Sequence, residues 1–282
     1  MATVQVNGVQ LGYDEAGTGP TVVLVHSALG DRRMWDGPFH DLARDHRVIR
    51  YDWRGMGESA DASGDVAHHE DLLGLLDALD VEQAALAGCS MGGAYCVDVA
   101  LTAPDRVTAL ALICAGLSGH RWPDSMLTPA RKLIYAAVPA ERLAAYSART
   151  AEWVDPADVT AMAEAQLRLM MVGPDRAVED LDPAAWRKAV ELCELVFQRE
   201  WTGPAVALRE LDPPATGRLA EVRAPTLVIK GLADVPEIQQ VSDRLATEIA
   251  GAERVELPAG HLPSIESPAA VTTALRAFLG ER

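Results

Sequence analysis

A chain of 282 residues, 49% of them hydrophobic, is long enough for one large α/β domain, or for such a domain carrying an insertion. Forty-one Asp and Glu against 25 Lys and Arg give a net charge of −16, which repels nucleic acid and anionic membrane surfaces. No apolar run approaches the ~20 residues that span a bilayer, and Met1–Asn7 has neither a basic start nor an apolar stretch of leader length. The expectation is a cytoplasmic protein with no membrane and no nucleic-acid partner. The four cysteines (Cys89, Cys96, Cys114 and Cys193) show neither a CxxC pair nor metal-ligand spacing, so they read as reduced packing residues.

Thr3–Val6 and Leu11–Tyr13, joined through Asn7-Gly8, predict a β-hairpin, because Asn-Gly supplies the positive φ angles of a tight turn. Thr21–Val25 is a continuous β-branched and leucine run, as expected of a strand buried on both faces. It ends in His26-Ser27-Ala28-Leu29-Gly30. A helical segment, Met34 to Arg44, leads to a strand over Arg47–Tyr51 and then to the glycine-rich Asp52–Ser59 turn. Those glycines complete no dinucleotide fingerprint, and no phosphate loop occurs, so no nucleotide cofactor is indicated. Leu72, Leu73, Leu75, Leu76 and Leu79 give helical spacing over Ala67–Asp80. At its start, His68-His69-Glu70-Asp71 does not read as a metal site, because adjacent side chains on a helix diverge.

Val81–Ala87 reads as a short buried strand and Met91–Ala103 as a helix. Between them Gly88-Cys89-Ser90-Met91-Gly92 has the Gly-x-Ser-x-Gly pattern of a sharp strand-to-helix turn that holds a serine hydroxyl at the top of a sheet. The serine takes a strained backbone there, and side chains at 88 and 92 would crowd the turn. After a strand over Thr108–Cys114 the β-α alternation stops. Residues 119 to 215 read as proline-punctuated helices containing Trp122, Trp153, Trp186 and Trp201, with no convincing buried strand. Such an insertion would roof whatever the sheet presents. Alternation resumes with the strand Ala224–Lys230, a helix over Glu237–Ala250, the strand Glu253–Leu257 and a C-terminal helix.

In a parallel sheet the loops leaving the carboxyl ends of the strands gather on one edge, where ligands bind. Ser90, Asp234 and His261 all leave predicted strands there, in the order nucleophile, acid, histidine. A serine hydroxyl needs an adjacent neutral imidazole to take its proton, and a carboxylate on the other ring nitrogen fixes the tautomer. Ser90 is therefore read as nucleophile, His261 as general base and then acid, and Asp234 as the orienting carboxylate. The backbone N–H groups of Met91 and of Ala28, with Ser27 as the competing assignment, would receive the developing oxyanion. His26 reads as a structural hydrogen-bonding residue.

Taken together, Gly17–Pro20, His26–Gly30, Asp52–Ser59, Gly88–Gly93, Pro104–Val107, Gly231–Asp234 and Gly260-His261 resemble the α/β-hydrolase superfamily over nearly the whole chain. Within it, His26–Gly30 followed by Met34-Trp35-Asp36, with Gly260–Pro263 and Glu266-Ser267-Pro268, is similar to the branch of 3-oxoadipate enol-lactonases and small carboxylesterases. Ser27 departs from the glycine that many relatives carry. The resemblance implies an α/β fold with a mostly parallel eight-stranded sheet, helices on both faces and a helical cap. Residues 1–118 and 216–282 would form the core and 119–215 the cap. It implies hydrolysis of an ester or lactone of a small, largely apolar substrate through an acyl-enzyme, without metal or cofactor, in a monomer or homodimer. Ser27, Leu29, Trp122, Trp153, Trp186 and Leu262 are candidate substrate contacts. The alternatives are carbon–carbon bond hydrolysis or cofactor-free perhydrolysis on the same triad, and, from another class, a binding protein that keeps the pocket without turnover.

Overall fold

The first strands follow from one dipeptide. Asn7 and Gly8 both take positive φ (46° and 80°), closing β1 (Ala2–Val6) antiparallel onto β2 (Val9–Ala16). The computed structural model describes residues 2–61 and 64–280. In chain order it adds β3 (Thr21–Val25), α1 (Asp36–Leu42), β4 (Arg47–Tyr51), β5 (Asp65–Val66), α2 (His68–Ala78), β6 (Ala84–Cys89), α3 (Met91–Thr102) and β7 (Val107–Ile113). Four helices follow: α4 (Asp124–Ala137), α5 (Ala140–Ser147), α6 (Pro156–Leu167) and α7 (Pro183–Thr202). Then come β8 (Ala207–Leu208), β9 (Thr226–Gly231), α8 (Pro236–Glu248), β10 (Glu253–Leu257), α9 (Pro263–Glu266) and α10 (Pro268–Gly280).

Eight strands form one sheet in the order β1-β2-β4-β3-β6-β7-β9-β10. From β4 to β10 every pairing is parallel, and β2 runs antiparallel to both its neighbours. Strand side chains alternate, so Val22 and Leu24 of β3 face one core and Val23 and Val25 the other. Trp35, Phe39, Leu42 and the α10 residues Val271, Leu275 and Phe278 close the first face. Leu72, Leu75 and Leu76 of α2, Val97 of α3, and Val241 and Leu245 of α8 close the second. No helix among the described residues is long and apolar enough to cross a membrane.

Three elements depart from the sequence reading. The segment expected to be one helix from Met34 is a 3-10 turn, Arg32–Trp35, followed by α1. The Asp31 side chain caps the turn at the Arg33 N–H, and Pro38 has no N–H with which to continue it into α1. β6 begins at Ala84 instead of Val81, because Asp80 (φ 52°) turns the chain and the Val81 N–H returns to the Leu76 carbonyl to close α2. The third is a parallel pair of two-residue strands, β5 with β8, too short to leave a periodic signal.

Pro123, Pro139, Pro156 and Pro183 mark the starts of α4 to α7, while Pro129 lies inside α4. Asp155 caps α6 ahead of Pro156, and Asp182 caps α7 ahead of Pro183, each carboxylate accepting from the next turn's N–H groups. A π-helical turn, Arg168–Val172, extends α6 down to the top of the sheet.

Candidate active site

Between β6 and α3, Ser90 sits at φ 56° and ψ −125°, a conformation that costs a non-glycine residue of order 1–3 kcal/mol. The surroundings over-determine it. The Ser90 N–H donates to the Ile113 carbonyl (3.0 Å), and the Ser90 carbonyl accepts from Gly93, Ala94 and Gly116 (2.9, 3.2 and 2.8 Å). A Cβ on Gly88 would lie 2.4 Å from the Gly92 carbonyl oxygen, and one on Gly92 would lie 2.3 Å from that of His26. Both glycines are therefore steric requirements of the turn.

His261 follows β10 and Asp234 follows β9, so all three side chains stand at carboxyl ends of parallel strands. The His261 ring bridges the other two: Nδ1 is 2.7 Å from Asp234 Oδ2 and Nε2 is 2.8 Å from Ser90 Oγ. Asp234 and His261 are fully buried. The other Asp234 oxygen accepts the Val235 N–H at 2.7 Å, and Gln239 Nε2 donates to the Asp234 and Leu232 carbonyls, fixing the loop. With its acceptors on the carboxylate, Asp234 calls for the proton on Nδ1 and leaves Nε2 a lone pair toward the hydroxyl.

The histidine loop is held from the helical stretch. The His261 N–H donates to the Met170 carbonyl (3.1 Å) in the π-helical turn. Arg176 donates to the Met171 and Val172 carbonyls and forms an ion pair with Glu266, whose Oε2 accepts the Gly260 N–H at 2.9 Å. Gly173 lies so close to the Ala233 carbonyl that a Cβ would approach it to 1.8 Å. The turn thus braces both the acid and the histidine loops, a role invisible in the sequence because Arg176 and Glu266 lie 90 positions apart.

His26 is buried, stacks on Trp53 (centroids 4.2 Å apart), donates from Nδ1 to the Ser27 carbonyl and accepts the Trp53 N–H at Nε2. Burial pushes its pKa down, so it is a neutral strut between the loop carrying Ala28 and the Asp52–Ser59 turn. That turn is built around the buried Asp52 carboxylate, which accepts from Arg32 and from the Glu58 N–H. Cys89 is buried with Sγ 3.6 Å from the His261 carbonyl oxygen, and burial pushes its thiol up. Cys114 Sγ lies within 4.8 Å of the ligand atoms of Asp234 and His261, but both ring nitrogens are already engaged with Asp234 and Ser90. Three of the four residues at the start of α2 go to separate partners: Glu70 pairs with Arg209 and Asp71 with Arg54, while His68 packs on Trp53 and Tyr95.

Ala28 and Met91 line one cavity of about 400 Å³, bounded also by Trp53, Met56, His68 and Tyr95 and by the end of α7 near Arg199. Burial lowers the His68 pKa to about 3, so this wall carries a neutral imidazole. Several candidate substrate contacts lie elsewhere. Ser27 is buried, its N–H on Met34 Sδ (3.2 Å) and its hydroxyl accepting from the Leu29 N–H (3.0 Å), and it lines neither cavity beside Ser90. Trp153 is 66% exposed, because it falls in the connection between α5 and α6 and on no packed helical face. Trp186 is half-buried beneath the Arg168 guanidinium, while Leu29 and Leu262 pack into the core. Trp122 lines a second, adjoining cavity. The residues missed, Trp53, His68 and Tyr95, left one usable signal: Tyr95 is one helical turn beyond Met91.

A strained serine between a parallel strand and a helix, faced by an aspartate and a histidine that leave β9 and β10 at that side of the sheet, defines an α/β hydrolase. The family described as alpha/beta hydrolase fold matches residues 20–268, and the chain belongs to it. Over 119 residues, 40% of its length, it is 46% identical to the dihydrolipoyllysine-residue acetyltransferase component of the acetoin cleaving system of Pseudomonas putida, spanning only 32% of that protein. It is 29% identical over 265 residues to a Pseudomonas syringae pv. syringae protein provisionally named carbamate hydrolase RutD, covering 92% of this chain and 93% of that one. Among solved structures it is similar to the enol-lactonase of Burkholderia xenovorans LB400, with a TM-score of 0.71 and 28% identity over 99% of this chain and 100% of the other. The relatives it resembles thus include a lactone-hydrolysing enzyme of the family.

Proposed function

We propose that the protein hydrolyses a small ester or lactone through an acyl-enzyme on Ser90. The observation that carries this reading is the His261 ring held between Ser90 Oγ and Asp234 Oδ2 at 2.8 and 2.7 Å. In the first step Ser90 Oγ attacks the carbonyl carbon while His261 Nε2 takes its proton; the imidazolium then gives that proton to the leaving alkoxide. Water repeats the sequence in the second step and releases the acid. Asp234 stabilises the imidazolium and keeps the ring oriented.

The N–H groups of Ala28 and Met91 receive the oxyanion. Support for Ala28 over Ser27 comes from the Ser27 N–H being turned onto Met34 Sδ, and Ala28 and Met91 wall the same cavity. Residues 119–215 act as a cap over this space, and the apolar and aromatic wall favours a small, largely apolar substrate. Carbamate cleavage by the same serine chemistry is the second reading, favoured by the full-length likeness to the provisionally named carbamate hydrolase.

A panel of p-nitrophenyl esters, small lactones and aryl carbamates tests both. Wild type is expected to turn over esters or lactones with the highest kcat/KM, and Ser90→Ala to lose about 10⁴-fold or more of that activity. Carbamates turned over above the others would favour the second reading. Turnover unaffected by Ser90→Ala would remove the serine mechanism altogether.

A further inference from the structure

Met91, Tyr95 and Asp98 lie at i, i+4 and i+7 of α3 and so share one face of the helix that begins at the nucleophile. The first two line the cavity beside Ser90, and all three line an adjoining chamber of about 110 Å³. The two spaces have Val66, His68, Met91, Tyr95 and Leu208 in common.

What distinguishes the chamber is Asp98, a mid-helix carboxylate only 2% exposed. Its Oδ1 accepts the Ser118 hydroxyl, and among the described residues it forms no ion pair. Burial pushes its pKa up to about 6, with Glu210 in the same chamber pushing the same way, against the Ser118 bond and Arg218. Above that pH it is a carboxylate. Of the cationic side chains, Arg209 lines the chamber and is paired with Glu70, and Arg218 is paired with Glu221. Burial pushes the pKa values of His68, His69 and His120, which also line the chamber, below the ordinary imidazole range, that of His68 to about 3. The remaining wall includes the aromatic rings of Tyr95 and Trp122, the latter met edge-on by His120 at 4.6 Å. A buried negative charge is expected to have a counter-charge, and a desolvated carboxylate beside aromatic rings is the chemistry that holds organic cations.

We propose that this chamber is an ammonium subsite, in which a small alkylammonium group of the substrate sits between the Asp98 carboxylate and the rings of Tyr95 and Trp122. The inference rests on the reading of Ser90 as the nucleophile of an ester or lactone hydrolase, and it narrows the substrate to one with a cationic end. The chamber's 110 Å³, set against about 30 Å³ per water molecule, holds roughly four heavy atoms, the size of a trimethylammonium group. The aromatic wall shared with the larger cavity would carry the linker back toward Ser90.

Acetylcholine and its neutral isostere 3,3-dimethylbutyl acetate differ at that end only in charge. Wild type is expected to prefer the cationic ester in kcat/KM by about tenfold, and Asp98→Asn to bring the ratio close to one. Glu210→Gln, at an exposed position, should lower the ratio in the same direction if the Asp98 variant does not fold. Tetramethylammonium binding to Ser90→Ala, followed by calorimetry, reads the chamber without catalysis and should weaken about tenfold when Asp98→Asn is added. Binding without hydrolysis of any ester would keep the subsite and remove the Ser90 reading. Hydrolysis with no preference for the cation, and no tetramethylammonium binding, would overturn the subsite alone.

Discussion

Asp234→Asn is expected to lower kcat on the best ester by about 10⁴-fold while the fold survives. The carboxylate accepts from His261 Nδ1 at 2.7 Å and from the Val235 N–H at 2.7 Å, so both its oxygens face donors. An asparagine of the same shape must turn its NH₂ toward one of them. Toward the ring, that NH₂ can only donate, which drives the imidazole proton to Nε2 and points it at Ser90. The base then has no lone pair for the hydroxyl. The folding cost is the loss of one charge-assisted buried hydrogen bond, about 1.5–3 kcal/mol. A stopped-flow or steady-state ester assay beside a thermal melt separates these effects. A loss of only a few fold in kcat would mean that the Asp234–His261 contact does not set the tautomer.

Gly92→Ala is expected to act through the backbone. Its Cβ would stand 2.3 Å from the His26 carbonyl oxygen and 2.6 Å from that of Val25. Both atoms belong to the end of a central strand, so neither can swing aside as a flexible side chain would. Separating them means shifting α3 from β3, in a region where every residue of β6 is buried. Loss of more than about 3 kcal/mol of stability is expected, which for a domain of this size lowers the melting midpoint by roughly 6–12 °C. Such a shift also moves Ser90 away from His261 Nε2, so activity should vanish even where the variant stays folded. A variant with wild-type stability and turnover would contradict the packing described for the turn.

The sheet, and the meeting of Ser90, Asp234 and His261 at one edge of it, were legible because they depend on local patterns. Thr21–Val25, Arg47–Tyr51 and Glu253–Leu257 are strands with the bounds expected from the sequence. Ser90, Asp234 and His261 needed only the rule that strand ends converge on one edge. The rest depends on which distant segments touch. The brace from Arg176 to Glu266 joins positions 90 apart, and the ribbon of β5 with β8 pairs two residues from each side of the helical stretch. The cavity wall shows the same limit. Tryptophan is mostly buried, which made Trp153 attractive, yet it lies in a connection and faces outward. Trp53 and His68 reach the wall because the His26 strut and the start of α2 carry them there.

The relation between His261 and Ser90 is measured most directly by reaction with a p-nitrophenyl alkylphosphonate, followed by peptide mapping and by the rate of p-nitrophenol release. One phosphonyl group per chain on Ser90 is expected, with the rate falling by at least about 10³-fold in His261→Gln. A label on any other residue, or a rate indifferent to His261, would show that this imidazole does not activate this hydroxyl.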